Sequence, residues 1–206
     1  MYLSALLFFG TVQAVISSCS QNPKERQWLL SFINAVCCTG AALIALILGD
    51  ASIFNNPEWN INALQAYLIV DLLHNGLNQE SKQSLLEFWI HHPVYIVVLE
   101  VATQGGYAPL VSRYFILEMP NIVRSLGQLE PLWRSNVGFG SLFFACRIVA
   151  PFFIAACDGW QYTAWMWVPF LLMQSVHIYW FTRWWAVYGT HLLDRALEGT
   201  GGNHTQ

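Results

Sequence analysis

Seven apolar stretches, at about 2 to 19, 28 to 49, 63 to 77, 85 to 103, 107 to 123, 136 to 156 and 162 to 187, follow one another with polar breaks between them. An apolar run of about 20 residues crosses a bilayer as a helix, because only a helix satisfies every backbone N–H and C=O within its own segment. The succession predicts an all-α integral membrane protein with about seven transmembrane helices. The third and fifth stretches are short and carry charges, so neighbouring helices are expected to shield them. Composition agrees: 55% of the 206 residues are hydrophobic and 10% are charged, against about 25% charged in a soluble domain. A net charge of -3 carries no nucleic-acid signal.

Basic residues in the breaks orient the chain, since they favour the cytoplasmic side. Lys24 and Arg26 follow the first stretch, Lys82 the third, Arg124 and Arg134 the fifth, and Arg195 the seventh. The alternate breaks hold Asp50, Glu58 and Asp158 and no Lys or Arg. The N-terminus is therefore expected on the non-cytoplasmic side and the C-terminus on the cytoplasmic or matrix side. Residues 1–27 form an N-terminal transmembrane helix and basic loop, 28–187 a helical bundle, and 188–206 a polar tail. A secretory signal peptide is the other reading of Met1 to Cys19, but the segment lacks a basic start, and cleavage would move Lys24 and Arg26 to the opposite side. The sequon at Asn203 lies on the inner side in this topology, away from glycosylation. Cys19, Cys37, Cys38, Cys146 and Cys157 lie in or beside apolar stretches without a CxxC pair, and read as small buried hydrophobes.

Against this apolar background the ionisable residues mark the interior. A charged or titratable side chain at membrane depth is costly and faces a bundle interior or a cavity. The adjacent pair His91 and His92 lies in the fourth stretch. Counted at about 1.5 Å per residue, Asp71, His91 and Glu118 fall roughly 9 Å below the cytoplasmic interface, and Arg147 and His177 roughly 15 Å below it. A polar cavity in the inner half of the membrane would bring these groups together. His74, one turn from Asp71, lies on the same helical face. A plainer reading has Asp71 pair with Arg147, or Glu118 with Arg124, only to pin helices, with His177 a packing residue.

The string FWIHHPVYIVV, holding His91, His92 and Tyr95, follows YLIVDLLH with Tyr67 and Asp71. Further on come LEMPNIVR with Glu118 and Asn121, then Phe143, Phe144 and Arg147, then Gln174, Tyr179 and Trp180. This succession, from Trp28 to Val187, resembles the TLC superfamily, named for TRAM, Lag1 and CLN8 proteins. The resemblance implies a helical bundle around a lipid-accessible cavity lined by His74, Asp71, His91, His92, Tyr95, Glu118, Asn121, Arg147 and His177. Some relatives, the ceramide synthases, transfer a fatty acyl group from coenzyme A to a sphingoid amine. Carried over by position, His91 or His92 would be the catalytic base or nucleophile, with Asp71 or Glu118 orienting the ring. No metal and no cofactor is implied; acyl-CoA enters only as a substrate of that alternative.

The chain departs from the catalytic branch. A ceramide synthase carries an aspartate-rich segment after its histidine pair, whereas VVLEVATQGGYAPLVSRYFILEMP contains no aspartate. SFINAV has Asn34 where many members have histidine. The pattern is closer to the TLC-domain proteins that influence phospholipid composition or serve as non-catalytic partners. Membrane di-iron enzymes need HxxxH and HxxHH boxes, and neither occurs among the six histidines. HExxH, P-loop and GxSxG motifs are missing too, as is the internal repeat of many transporters. Trp160, Trp165, Trp167, Trp180, Trp184 and Trp185 read as interface anchors, and Ala41, Ala45 and Gly49 as a face for close helix packing.

The expectation is a TLC-like protein that binds or organises lipid. It would serve as a non-catalytic accessory subunit of a larger membrane complex, such as an energy-transducing one, or as a regulator of lipid composition. Its partners would be membrane phospholipids and other membrane subunits. A glycine-rich tail such as GTGGNHTQ would be held in order only by such a partner. The alternative is an acyl-CoA-dependent lipid N-acyltransferase. The expected compartments are the mitochondrial inner membrane and the endoplasmic reticulum.

Overall fold

The structure is a computed structural model that describes residues 2–49, 56–73, 89, 91–158, 163 and 166–189. His74, Lys82, Trp160, Trp165, Arg195 and the tail with its sequon lie outside the described residues. Among the described residues every regular element is helical. They are α1 (Tyr2–Cys19), α2 (Pro23–Leu48), α3 (Pro57–Asp71), α4 (His91–Gln104), α5 (Ala108–Arg113), α6 (Met119–Leu129), α7 (Asn136–Phe143), α8 (Ala150–Asp158) and α9 (Trp167–Trp184).

Among the described residues, three helical stretches are long and apolar enough to cross a membrane: Tyr2–Cys19, Pro23–Leu48 and Asn136–Asp158. Between 22% and 39% of each is buried within the protein. The remaining surface is not polar: Leu3, Leu7, Ile47, Leu48 and Phe153 are all more than half exposed. Exposed apolar faces on this scale are covered by lipid rather than by water, which makes this a membrane protein.

Helix ends follow local chemistry. Asn22 and Asn56 cap α2 and α3, each followed by a proline in the first turn, and their side chains accept from the backbone N–H of Lys24 and Trp59 at 3.0 Å. Proline suits that position because its missing N–H would have no helical partner. Both helices therefore begin upstream of the apolar stretches that mark them, at Pro23 rather than 28 and at Pro57 rather than 63. Replacing Asn22 by alanine is expected to cost about 1 kcal/mol, read as a lower midpoint of thermal unfolding in detergent. At the end of α4, Gly106 takes a φ of 74°, and Tyr107 N–H reaches back to the Ala102 carbonyl at 2.8 Å. This is the glycine-terminated helix end that the left-handed region makes cheap.

Proline also reshapes two expected spans. Pro120 cannot donate to the Ile116 carbonyl, and its ring would clash there. The fifth stretch accordingly runs as α5, a 3-10 segment Tyr114–Glu118, and α6, continuing past Arg124 to Leu129. In the sixth, Pro151 follows a π-helical segment Phe144–Val149 that joins α7 to α8. A widened turn relieves the same clash, here with the carbonyl of Arg147.

The chain divides into two compact units, Met1–Arg134 and Ser135–Gln206. In the first, α3 is enclosed by α1, α2, α4 and α5, and eight of its residues are buried, including Gln65, Tyr67 and Asp71. The buried face of α2 includes Ala35, Cys38, Ala42 and Ala45, so that of the expected line of Ala41, Ala45 and Gly49 it holds Ala45. In the second unit, the Phe143 ring meets His177 at 6.0 Å and Phe181 at 6.3 Å, while Phe152 meets Phe170 at 5.7 Å. Trp184, expected as an interface anchor, packs inside this unit against Gly140 and stacks on Phe181 at 5.7 Å. Of the cysteines, Cys38 and Cys146 are buried, but Cys19, Cys37 and Cys157 are exposed. The outer surface of an apolar bundle suits a small thiol as well as its core does.

Candidate functional site

Asp71 closes α3 and His92 stands at the start of α4, and both are buried. The Nε2–H of His92 donates to Oδ2 of Asp71 at 3.0 Å. Neighbouring residues on a helix point about 100° apart, so the two histidines have different surroundings. His91 is half-buried, and its ring lies 4.2 Å from that of Tyr95 and 5.7 Å from that of His92. Counting depth along the axis matched His91 to Asp71, but the azimuth around the helix gives the carboxylate contact to His92.

One turn before Asp71, the buried Tyr67 lies beside Ser31 on α2, and its ring lies 6.0 Å from that of Phe9 on α1. Asp71, Glu118 and Cys38 all lie within electrostatic range of the Tyr67 hydroxyl. The Cys38 thiol is directed at Oδ1 of Asn34 at 3.4 Å and also lies within range of Glu118. Glu118, at the end of the 3-10 segment, accepts from Nδ2 of Asn121 at 2.7 Å. Arg124, weighed above as a partner of Glu118, places its guanidinium over the Trp28 ring, 5.2 Å from the centroid.

The first unit thus gathers Asp71, His92, Glu118 and Asn121, with His91 and Tyr95 beside them, and adds Tyr67, Ser31, Asn34 and Cys38. Ser31 and Cys38 carried no signal as site residues in the sequence, being a serine and a cysteine in an apolar helix. A second polar contact was also not legible. Nε2 of Gln65 on α3 donates to the Ile96 carbonyl at 3.3 Å and to Glu100 at 3.4 Å, and Gln104 donates to Glu100 at 2.8 Å. It fastens α4 to α3 about two turns beyond the histidines.

Arg147 and His177 belong to the second unit, where the Arg147 guanidinium lies over the Phe143 ring, 5.2 Å from the centroid, and His177 is buried against the same ring. Among the described residues, no group of three His, Cys, Asp or Glu side chains is placed to hold a metal ion.

Chemically, the His92 and Asp71 contact fixes the imidazole in one orientation. With Tyr67 and Glu118 close by, the cluster offers donors and acceptors inside an apolar surround. Such groups hold the polar end of a ligand whose remainder is apolar.

Compared with protein-family models, with curated proteins and with solved structures, the chain has no significant match to any of them.

Proposed function

We propose that this is a TLC-type membrane protein that binds or organises lipid through the Asp71, His92, Tyr67 and Glu118 cluster and is non-catalytic. In this reading it is an accessory subunit of a larger membrane complex or a regulator of lipid composition. The observation that carries the reading is the burial of a hydrogen-bonded histidine and carboxylate, with Tyr67 and Glu118 in electrostatic range, inside a lipid-covered helical unit. Polar groups at that depth are expensive, and a bound headgroup with complementary donors and acceptors offsets the cost. The order of motifs resembling the superfamily supports the same reading. The absence of aspartate between the histidine pair and Pro120 argues against the acyl-transfer branch.

A second reading has one observation in its favour: Asp71 orients the His92 ring as a carboxylate orients a catalytic base. In that case His92 would take the proton of a lipid amine as the amine nitrogen attacks an acyl thioester, and would return it to the departing coenzyme A thiolate, so that an amide and the free thiol result.

Purification in mild detergent, with analysis of copurifying lipids and proteins, tests the first reading and separates it from the second. The wild type is expected to retain phospholipid, to associate with other membrane subunits and to turn over no acyl-CoA. His92→Gln should lower retained lipid roughly tenfold, which corresponds to one hydrogen bond of about 1.4 kcal/mol. A monodisperse monomer that consumes acyl-CoA, and stops doing so in His91→Ala or His92→Ala, would refute the accessory role.

A further inference from the structure

One end of the first unit gathers basic side chains that its packing does not use. α2 and the α5–α6 stretch run antiparallel. Trp28 lies under Arg124, while Cys38, ten residues further along α2, is in electrostatic range of Glu118, six residues earlier in the other stretch. The start of α2 and the end of α6 therefore stand at the same level. Lys24 is one turn before Trp28 and on the same face of α2. Arg134 returns against α6 one turn after Arg124, so closely that a Cβ on Gly127 would stand 3.0 Å from its Cα.

Lys24, Arg124 and Arg134 are all exposed, and the Lys24 and Arg134 side chains have no partner among the described residues. Arg124 is stacked on Trp28, but a guanidinium over a ring still presents N–H donors along its edge. The two nearby carboxylates are engaged elsewhere: Glu25 accepts from Oγ of Ser20 at 2.6 Å, and Glu130 from the backbone N–H of Leu132 at 3.2 Å.

Height and surroundings say which anion fits. The 26 residues of α2 make about 39 Å of helix, against a hydrocarbon core of about 30 Å. Its first turn, with Lys24, therefore reaches the headgroup layer, and Trp28 falls where aromatic side chains mark the interface. Directly before Arg134, the turn Pro131–Trp133 leaves Leu132 89% and Trp133 63% exposed. Bare apolar side chains beside cations match acyl chains below a phosphate. They offer nothing to a free anion or to an acidic protein segment.

We propose that Lys24, Arg124 and Arg134 bind the phosphate of an anionic phospholipid whose acyl chains lie against Leu132 and Trp133. This is a second lipid contact, and it does not depend on the role of the His92 cluster.

Nanodiscs of phosphatidylcholine with a minority of phosphatidylglycerol, whose one charge is its phosphodiester, provide the test. Lipids that stay with the full-length protein on release from the discs are counted by native mass spectrometry. The wild type is expected to keep phosphatidylglycerol well above its share of the bilayer and to unfold at a higher temperature when it is present. Lys24→Gln and Arg134→Gln should each lower that enrichment about fivefold. Their unfolding temperatures in pure phosphatidylcholine should match the wild type, since neither side chain has a partner to lose. Arg26→Gln removes the same charge two residues from Trp28, on the opposite side of α2, and should leave the enrichment nearly as it was. Equal losses in Lys24→Gln and Arg26→Gln would reveal diffuse charge attraction and overturn the site, as would a wild type without enrichment. Displacement of phosphatidylglycerol by inorganic phosphate or by polyglutamate added to the discs would overturn the lipid assignment, in favour of a free anion or an acidic protein segment.

Discussion

Asp71→Ala is expected to destabilise the first unit by about 1–3 kcal/mol, because it removes the carboxylate that the buried His92 contacts and puts nothing polar in its place. Two residues in sequentially distant helices make this contact, 21 positions apart, so its loss should loosen α3 from α4 rather than fray one helix. Interhelical polar couplings in membrane bundles average about 0.6 kcal/mol and reach about 1.7. A contact involving a carboxylate belongs at the upper end of that range. The expected readout is a lower midpoint when unfolding in detergent is followed by circular dichroism. A double-mutant cycle of Asp71→Asn with His92→Gln should give a coupling near that upper end. Coincident unfolding curves for Asp71→Ala and the wild type would show that the contact holds nothing.

Gly140→Ala should be nearly as damaging to the second unit. A Cβ at Gly140 would overlap the Cη2 and Cζ2 atoms of Trp184. The indole has little room to retreat, since it stacks on Phe181 at 5.7 Å and meets the tilted ring of Tyr188 at 5.9 Å. Forcing extra volume into a packed contact costs about 1–3 kcal/mol. Glycine here lets one helix approach the aromatic face of another, the use that membrane bundles make of small residues. Scanning fluorimetry in detergent should record a lower unfolding temperature for Gly140→Ala. Adding Trp184→Phe removes the far edge of the indole and should recover part of the loss. A single variant as stable as the wild type would mean that the contact relaxes without cost.

How much could be read in advance depends on the kind of signal. Apolar runs mark the bulk of α1, α2 and the Asn136–Asp158 stretch because hydrocarbon burial is a sum over about 20 residues and tolerates local error. The helix starts at Pro23 and Pro57 were missed by that measure, since Asn-Pro caps and a polar first turn extend a helix without adding hydropathy. Proline positions 120 and 151 were visible, but whether each would break, tighten or widen its helix depended on neighbours. In the site, Asp71 and the histidine pair stood out as costly residues in an apolar background. Ser31, Cys38, Gln65 and Glu100 did not, because a serine, thiol or amide becomes informative only through what faces it.

By itself the sequence determined that this chain is helical, belongs in a membrane and sets its ionisable groups within apolar stretches, because hydropathy and charge are properties of residues one at a time. Only the tertiary structure decided which of two adjacent histidines meets Asp71, that Tyr67, Cys38 and Glu118 lie near one another, and that Arg124 lies over Trp28. Those are relations between helices. They depend on the rotation of each helix about its axis and on register across a packed interface, and no residue carries either alone.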